Sequence, residues 1–406
     1  MKILKNFIIG TVGSLLLLGG LAVTFRWATI QRLLRVNALF SEKNIIRNFS
    51  DMKGMFFYTT IPARSETPLS LPQQPASLPD SFTFRGVTHR TENWKKARSV
   101  TSMVVLHNGK ITHEEYLQGT SADDLRISWS VAKSFLSATF GIAVDAGVIS
   151  SLDDQVVGYV AALKGTAYDG ATIRNVLNMS SGVDFNEDYL DYHSDINRMG
   201  RVLALGKSMD DFAASLTRRA FTPGTFCKYV SIDTHVLGMV LRQATGRSVP
   251  DYMAEKLLRP MGLEADPYFL TDGFGTAFVL GGLNLCTRDY ARFGLLCAQD
   301  GHLNGQQIVP KDWIRRSTIS SAPIPAPDVA ATDEGLLGYG YQWWLPPEAE
   351  EGEFFAIGIY GQYIYVNRQK NTVIAVNSAD RNFMDDDGRI TLENLALFRA
   401  IAHAAS

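Results

Sequence analysis

The chain has 406 residues, 46% of them hydrophobic and 20% charged, with a formal net charge of −2. That balance excludes a disordered or fibrous chain, and the charge argues against a nucleic-acid binder, which needs a basic patch to displace counterions. Three cysteines are too few for a disulfide scaffold, which leaves buried thiols or at most one bridge, and the seven histidines show no zinc-ligand spacing.

Lys2 and Lys5 precede an uncharged run, "FIIGTVGSLLLLGGLAVTF", from Phe7 to Phe25. As a helix this run spans about 28 Å, close to the roughly 30 Å hydrocarbon core of a bilayer. Residues 1–25 are therefore read as a transmembrane anchor or a cleaved signal peptide, and both readings export the rest of the chain. The expectation is a domain held at the bacterial inner membrane and facing the periplasm. After cleavage it would be periplasmic or secreted.

Residues 26–80 read as a juxtamembrane segment and connector. "RWATIQRLLRVNALFSEKNIIRNF" alternates basic and apolar residues, as a helix on a membrane surface or an ordinary surface helix would. Pro62, Pro68, Pro72, Pro75 and Pro79 then forbid regular helix or central strand.

Residues 81–406 read as one mixed α/β (α+β) domain. "SMVVLHNGKITHEEYL" predicts a hairpin turning at Asn108-Gly109. Helical patterns follow at "AKSFLSATFGIAVDAG", "TIRNVLNMSSG", "SMDDFAASLTRRA", "DTHVLGMVLRQATG", "VPDYMAEKLLRPMG" and "TRDYARFGLLCAQDG", several closed by glycine. "YGYQWWLP", "EFFAIGIYGQYIYVNR" and "TVIAVNSA" return to strand patterns before a final helix, "RITLENLALFRAIAHA". Strands at both ends imply one antiparallel sheet built from distant segments and flanked by helices, beside an all-helical region.

Chemistry concentrates in "SWSVAKS", where Ser130 stands three residues before Lys133. On a helix these positions share a face about 5–6 Å apart at Cβ, so the amine reaches the hydroxyl. A serine hydroxyl attacks only when a base takes its proton, and lysine is a base only when burial or a nearby cation lowers its pKa. On spacing alone the bland reading stays open: a capping serine beside a lysine that snorkels to solvent. Tyr229, in "FTPGTFCKYVS", adds a phenol able to shuttle protons, or an aromatic packed at a helix entrance.

The ordered set "SWSVAKS", "VLNMSSGVDF", "FTPGTFCKYVS", "LGGLNLCTRDYARFG" and "FFAIGIYGQYIYV" resembles the serine β-lactamase/penicillin-binding-protein superfamily. The likeness is to its class C-like branch, which includes 6-aminohexanoate-dimer hydrolases and β-lactamase-like esterases. It implies a β-lactamase-like fold, with Ser130 as acylated nucleophile, Lys133 as base and Tyr229 as proton shuttle. It also places the third motif on an edge strand at Ala356-Ile357-Gly358, with an oxyanion hole from the backbone N–H groups of Ser130 and Ile359.

Two departures narrow the expected activity. The usual Tyr-x-Asn reads Tyr229-Val230-Ser231, and Ala356 stands where β-lactamases and peptidases carry a cation. An esterase or small-amide hydrolase is favoured, with no metal or organic cofactor. A penicillin-binding DD-peptidase or β-lactamase is the alternative, and a non-catalytic binding protein on the same fold is the alternative of another class. Candidate substrate contacts are Trp129, Tyr189, Asp195, Ser231 and Gly358. Trp129 and the pair Trp343-Trp344 are core or pocket wall; Ser231 contacts the Lys133 region or caps a helix. The acidic stretch "VDFNEDYLDYHSDINR" is a solvated loop or a cleft wall. Its Ser194-Asp195 mimics another branch's Ser-Asp-Asn but continues with Ile196.

Overall fold

The computed structural model describes residues 27, 29–384 and 388–404. The predicted anchor or signal segment lies outside the described residues. Among the described residues no helix is long and apolar enough to cross a membrane.

In chain order the elements that build the site begin with helix α1 (Ile45–Ser50) and strand β1 (Phe57–Thr60). The hairpin β2 (Ser81–Phe84) and β3 (Val87–Arg90) is followed by β4 (Val100–His107), β5 (Lys110–Tyr116) and β6 (Arg126–Ile127). Helices α2 (Ala132–Asp145) and α3 (Ser231–Thr245) form the helical region with shorter neighbours, before β7 (Tyr268–Thr271) and β8 (Leu283–Leu285). Helix α4 (Thr287–Ala298) leads to β9 (Gly338–Gly340), β10 (Trp343–Leu345), β11 (Glu353–Gly358), β12 (Gln362–Asn367) and β13 (Thr372–Ser378), and α5 (Arg389–Ala404) follows.

The main sheet has seven strands in the order β9-β10-β11-β12-β13-β4-β5. Its pairings are antiparallel, and β13 joins the two ends of the chain, with Ile374 opposite Val105. The expected Asn108-Gly109 turn joins β4 to β5. Alternation along β12 sorts the two faces, as the period of a strand requires. Tyr363 and Tyr365 pack with Phe398 and Ile401 of α5, whereas Ile364 and Val366 enter the main core with Phe293 and Leu296 of α4.

The segment before residue 81 contributes to this body. Phe49 has no exposed surface, Leu39 and Ile45 are buried, and β1 pairs with β7 across Phe57–Thr271 to Thr60–Tyr268. The apolar face of "NALFSEKNIIRNF" is thus satisfied by protein. β1, β7, β8 and β6 make a second sheet whose last strand runs into the Ser130 turn. Cys227, Cys286 and Cys297 are all free thiols, and the last two are buried.

Candidate active site

Strand β6 delivers the chain to Ser128, whose N–H donates to the Leu283 carbonyl at 2.8 Å. Trp129 then adopts φ +42°, a left-handed conformation costly for a bulky residue, and Trp129–Val131 form a 3₁₀ turn that enters α2. This bend leaves Ser130 partly exposed while Lys133, three residues on, is only 2% exposed.

Lys133 Nζ lies 2.8 Å from Ser130 Oγ, 3.3 Å from Ser231 Oγ and 2.9 Å from the Leu280 carbonyl. Burial pushes its pKa down to about 7, against the opposing pull of Glu187. The lysine does not snorkel; it faces the serine. Tyr229, half-buried, has its ring centroid 5.2 Å from Nζ and stacks on Trp344 at 5.3 Å. Burial, reinforced by Glu187, raises the phenol's pKa well above its ordinary value, while hydrogen bonding with Ser130 and Ser231 pulls the other way. It therefore stays protonated.

Ser231 settles its two readings. It is the first residue of α3, Val230 holds the cap position, and Ser231's own hydroxyl does not cap that end. The Ser231 hydroxyl instead accepts from Lys133 and donates to Glu187 Oε1 at 2.5 Å, and its N–H donates to Glu187 Oε2 at 2.9 Å. Glu187 also accepts from the Tyr189 hydroxyl at 2.8 Å. Burial raises the Glu187 pKa, and the Lys133 charge lowers it. Sequence reasoning missed Glu187. Its only signal was membership in an acidic, aromatic stretch, and nothing in its spacing points to Ser231.

That stretch divides between cleft and scaffold. Tyr189 is brought to the site through Glu187, whereas the Asp195 carboxylate is engaged by its own loop. The Asp195 carboxylate accepts from the Asn186 N–H at 2.9 Å and pairs with Arg198, closing its own loop. Ser194 caps the helix that follows, accepting from the Asn197 N–H at 3.3 Å.

The proposed third motif also reaches the turn that carries Ser130. A Cβ on Gly358 would stand 2.4 Å from the Ser128 carbonyl oxygen, so only glycine lets β11 approach the turn. Gly358 serves close packing rather than presenting a side chain. β11 is not an edge strand, because β10 pairs with it at Trp344–Phe355; past that point no β10 pairing continues, and the strand runs open toward Gly358. Ile359 follows the last rung, Gly358–Gln362. The buried Gln362 amide, also missed from sequence, donates to the Ile359 carbonyl at 3.3 Å, Tyr360 at 3.1 Å and Ser378 at 2.8 Å, pinning the turn. Trp343 is core at 1% exposure, whereas Trp344 joins Tyr229 in lining a cavity of about 290 Å³ with Cys227, Ile324 and Leu336. Trp129 packs partly buried against the core edge beside Ser130.

A beta-lactamase family profile matches residues 87–398. The chain belongs to the beta-lactamase family. A curated relative, 6-aminohexanoate-dimer hydrolase of Paenarthrobacter ureafaciens, is 28% identical over 284 residues, 67% of this chain and 71% of that protein. Among solved structures, a Bacillus anthracis protein assigned as a 6-aminohexanoate-dimer hydrolase superposes with a TM-score of 0.77 at 22% identity, covering 90% of this chain and 95% of that one. A family VIII carboxylesterase gives 0.56 at 16% identity, covering 76% and 95%. The β-lactamase-like fold expected from the motifs is the fold of this chain.

Proposed function

We propose that this beta-lactamase-fold hydrolase cleaves carboxylic esters or small linear amides through an acyl-enzyme on Ser130. The observation that carries the reading is the 2.8 Å contact between Ser130 Oγ and a buried amine whose pKa lies at about 7.

A neutral Lys133 has two N–H donors and one lone pair. The donors satisfy the Leu280 carbonyl and Ser231 Oγ, and the lone pair takes the Ser130 proton. Oγ attacks the carbonyl carbon, and the Ser130 and Ile359 N–H groups receive the developing oxyanion. Tyr229 passes a proton to the departing alkoxide or amine, and the lysine proton returns to the phenol. Water then attacks the acyl carbon, giving up its proton to the same pair; the C–Oγ bond breaks, the pair returns that proton to Ser130 Oγ, and the carboxylic acid departs. The alanine at 356 supplies no cation for a substrate carboxylate, which favours uncharged esters and amides over β-lactams or terminal D-alanine. The relatives named as an amide hydrolase and a carboxylesterase support the same class.

The test is a chromogenic short-chain ester with intact-mass analysis, run beside linear amides and a labelled penicillin. Turnover with one acyl group added at Ser130, both abolished in Ser130→Ala, is the expected result. Wild-type protein that neither turns over nor gains mass refutes the reading, and stoichiometric penicillin labelling with no ester turnover replaces it with a penicillin-binding one.

A further inference from the structure

The residues flanking both proposed oxyanion donors belong to one aromatic cluster, and its anchor lies outside the family-matched region. Trp129 precedes Ser130 and Tyr360 follows Ile359, at φ +42° and +61°. Bulky residues keep such conformations only where their surroundings lock them. Phe49 meets both rings edge-on, at 5.6 Å from Trp129 and 5.4 Å from Tyr360. Phe40 stacks on Tyr360 at 4.8 Å with planes 12° apart and lies 5.8 Å from Trp129.

The backbone that carries these two phenylalanines is itself tied to the nucleophile's strand. Arg126, 1% exposed, donates to the Ile46 carbonyl at 2.8 Å, Ser50 Oγ at 2.6 Å and Thr101 Oγ1 at 3.0 Å. Arg126 opens β6, four residues before Ser130. The Asn48 amide donates to the Leu39 carbonyl at 3.0 Å, folding the Phe40 loop back onto α1. Phe40, Phe49 and α1 all precede residue 87, where the family match begins.

We propose that Phe40 and Phe49 are positioning residues for hydrolysis: together they clamp Trp129 against Tyr360 so that the Ser130 and Ile359 N–H groups converge on one oxygen. The N-terminal segment is then part of the catalytic apparatus. This rests on the acyl-enzyme reading above. Phe49 has no exposure, so its truncation confounds folding with function; Phe40, 39% exposed, is the cleaner probe.

The experiment compares full-length wild type, Phe40→Ala and Phe40→Tyr. It measures active sites titrated with a fluorophosphonate, kcat and KM on a short acetyl ester, affinity for an alkyl boronic acid, and melting temperature. Because losing an oxyanion donor outright costs about a hundredfold or more, loosening one predicts a kcat loss of about tenfold per titrated site. The expected pattern is that loss in Phe40→Ala with KM held within about twofold, a matching loss of boronic acid affinity, and recovery in Phe40→Tyr. The clamp is overturned if kcat per site stays within about twofold of wild type, if the loss lies in KM alone, or if it only tracks the folded fraction. A wild type that no fluorophosphonate labels at Ser130 overturns the acyl-enzyme reading and the clamp with it, whereas equal labelling rates in wild type and Phe40→Ala overturn the clamp alone.

Discussion

In the proposed mechanism Lys133 can serve as base because its neighbours hold it without protonating it. Leu280 and Ser231 accept its N–H groups, and burial sets its pKa at about 7. Attack needs the neutral amine, so ester kcat/KM should rise with pH along a limb near 7 and level off above it. Glu187 pulls the lysine pKa up, so Glu187→Gln should move that limb to lower pH. Glu187→Ala leaves Ser231 without its acceptor and should lower the plateau about tenfold, the weight of one buried hydrogen bond. A pH–rate series on the three proteins decides this; an unmoved limb in Glu187→Gln excludes the electrostatic coupling. That Ser130, Lys133 and Tyr229 lie together was legible because a helical turn fixes i and i+3, and because the motifs follow one another in the order of the resemblance. Glu187 was not, because its partner Ser231 is reached only through loop closure over 44 residues.

Helix α2, which carries Lys133, packs against a rigid floor. At Gly141 an added Cβ would fall 2.2 Å from the Trp313 ring, which is 1% exposed and has nowhere to go. Gly141→Ala gains roughly 1 kcal/mol of helix propensity, but the forced repacking costs more. The net should be about 1–3 kcal/mol of destabilisation. A urea midpoint equal to or above wild type contradicts this. The apolar pattern of α2 was plain in the sequence, and so were most helices with a C-terminal glycine. The segment 39–60 was harder to place, since an apolar stripe beside basic residues suits a lipid surface and a protein core equally. Tertiary packing decided it.

At the scale of the molecule, one buried carboxylate adds a polar tie between α5 and the sheet to the apolar contacts of Phe398 and Ile401. Glu353, 1% exposed, accepts from Arg399 at 2.7 and 2.8 Å and from the Tyr365 hydroxyl at 2.7 Å. Arg399→Met leaves that charge buried and uncompensated, which should cost about 3 kcal/mol. Adding Glu353→Gln should recover part of the loss. Chemical denaturation of the single and double variants measures both, and additive effects would mean that the two side chains are not coupled. The sheet made from both ends of the chain was foreseeable from where the strand patterns fall. Its order was not, since β13 and β4 are paired through contacts about 270 residues apart, as Thr372 and His107 are.

That distance has a consequence for synthesis. A chain emerging from the ribosome carries its serine and lysine long before Ile359 exists to complete the proposed oxyanion cradle, or β13 exists to brace it. On the proposed mechanism the serine would therefore stay unreactive while translation continues, and reactivity would arrive only when the last strands dock.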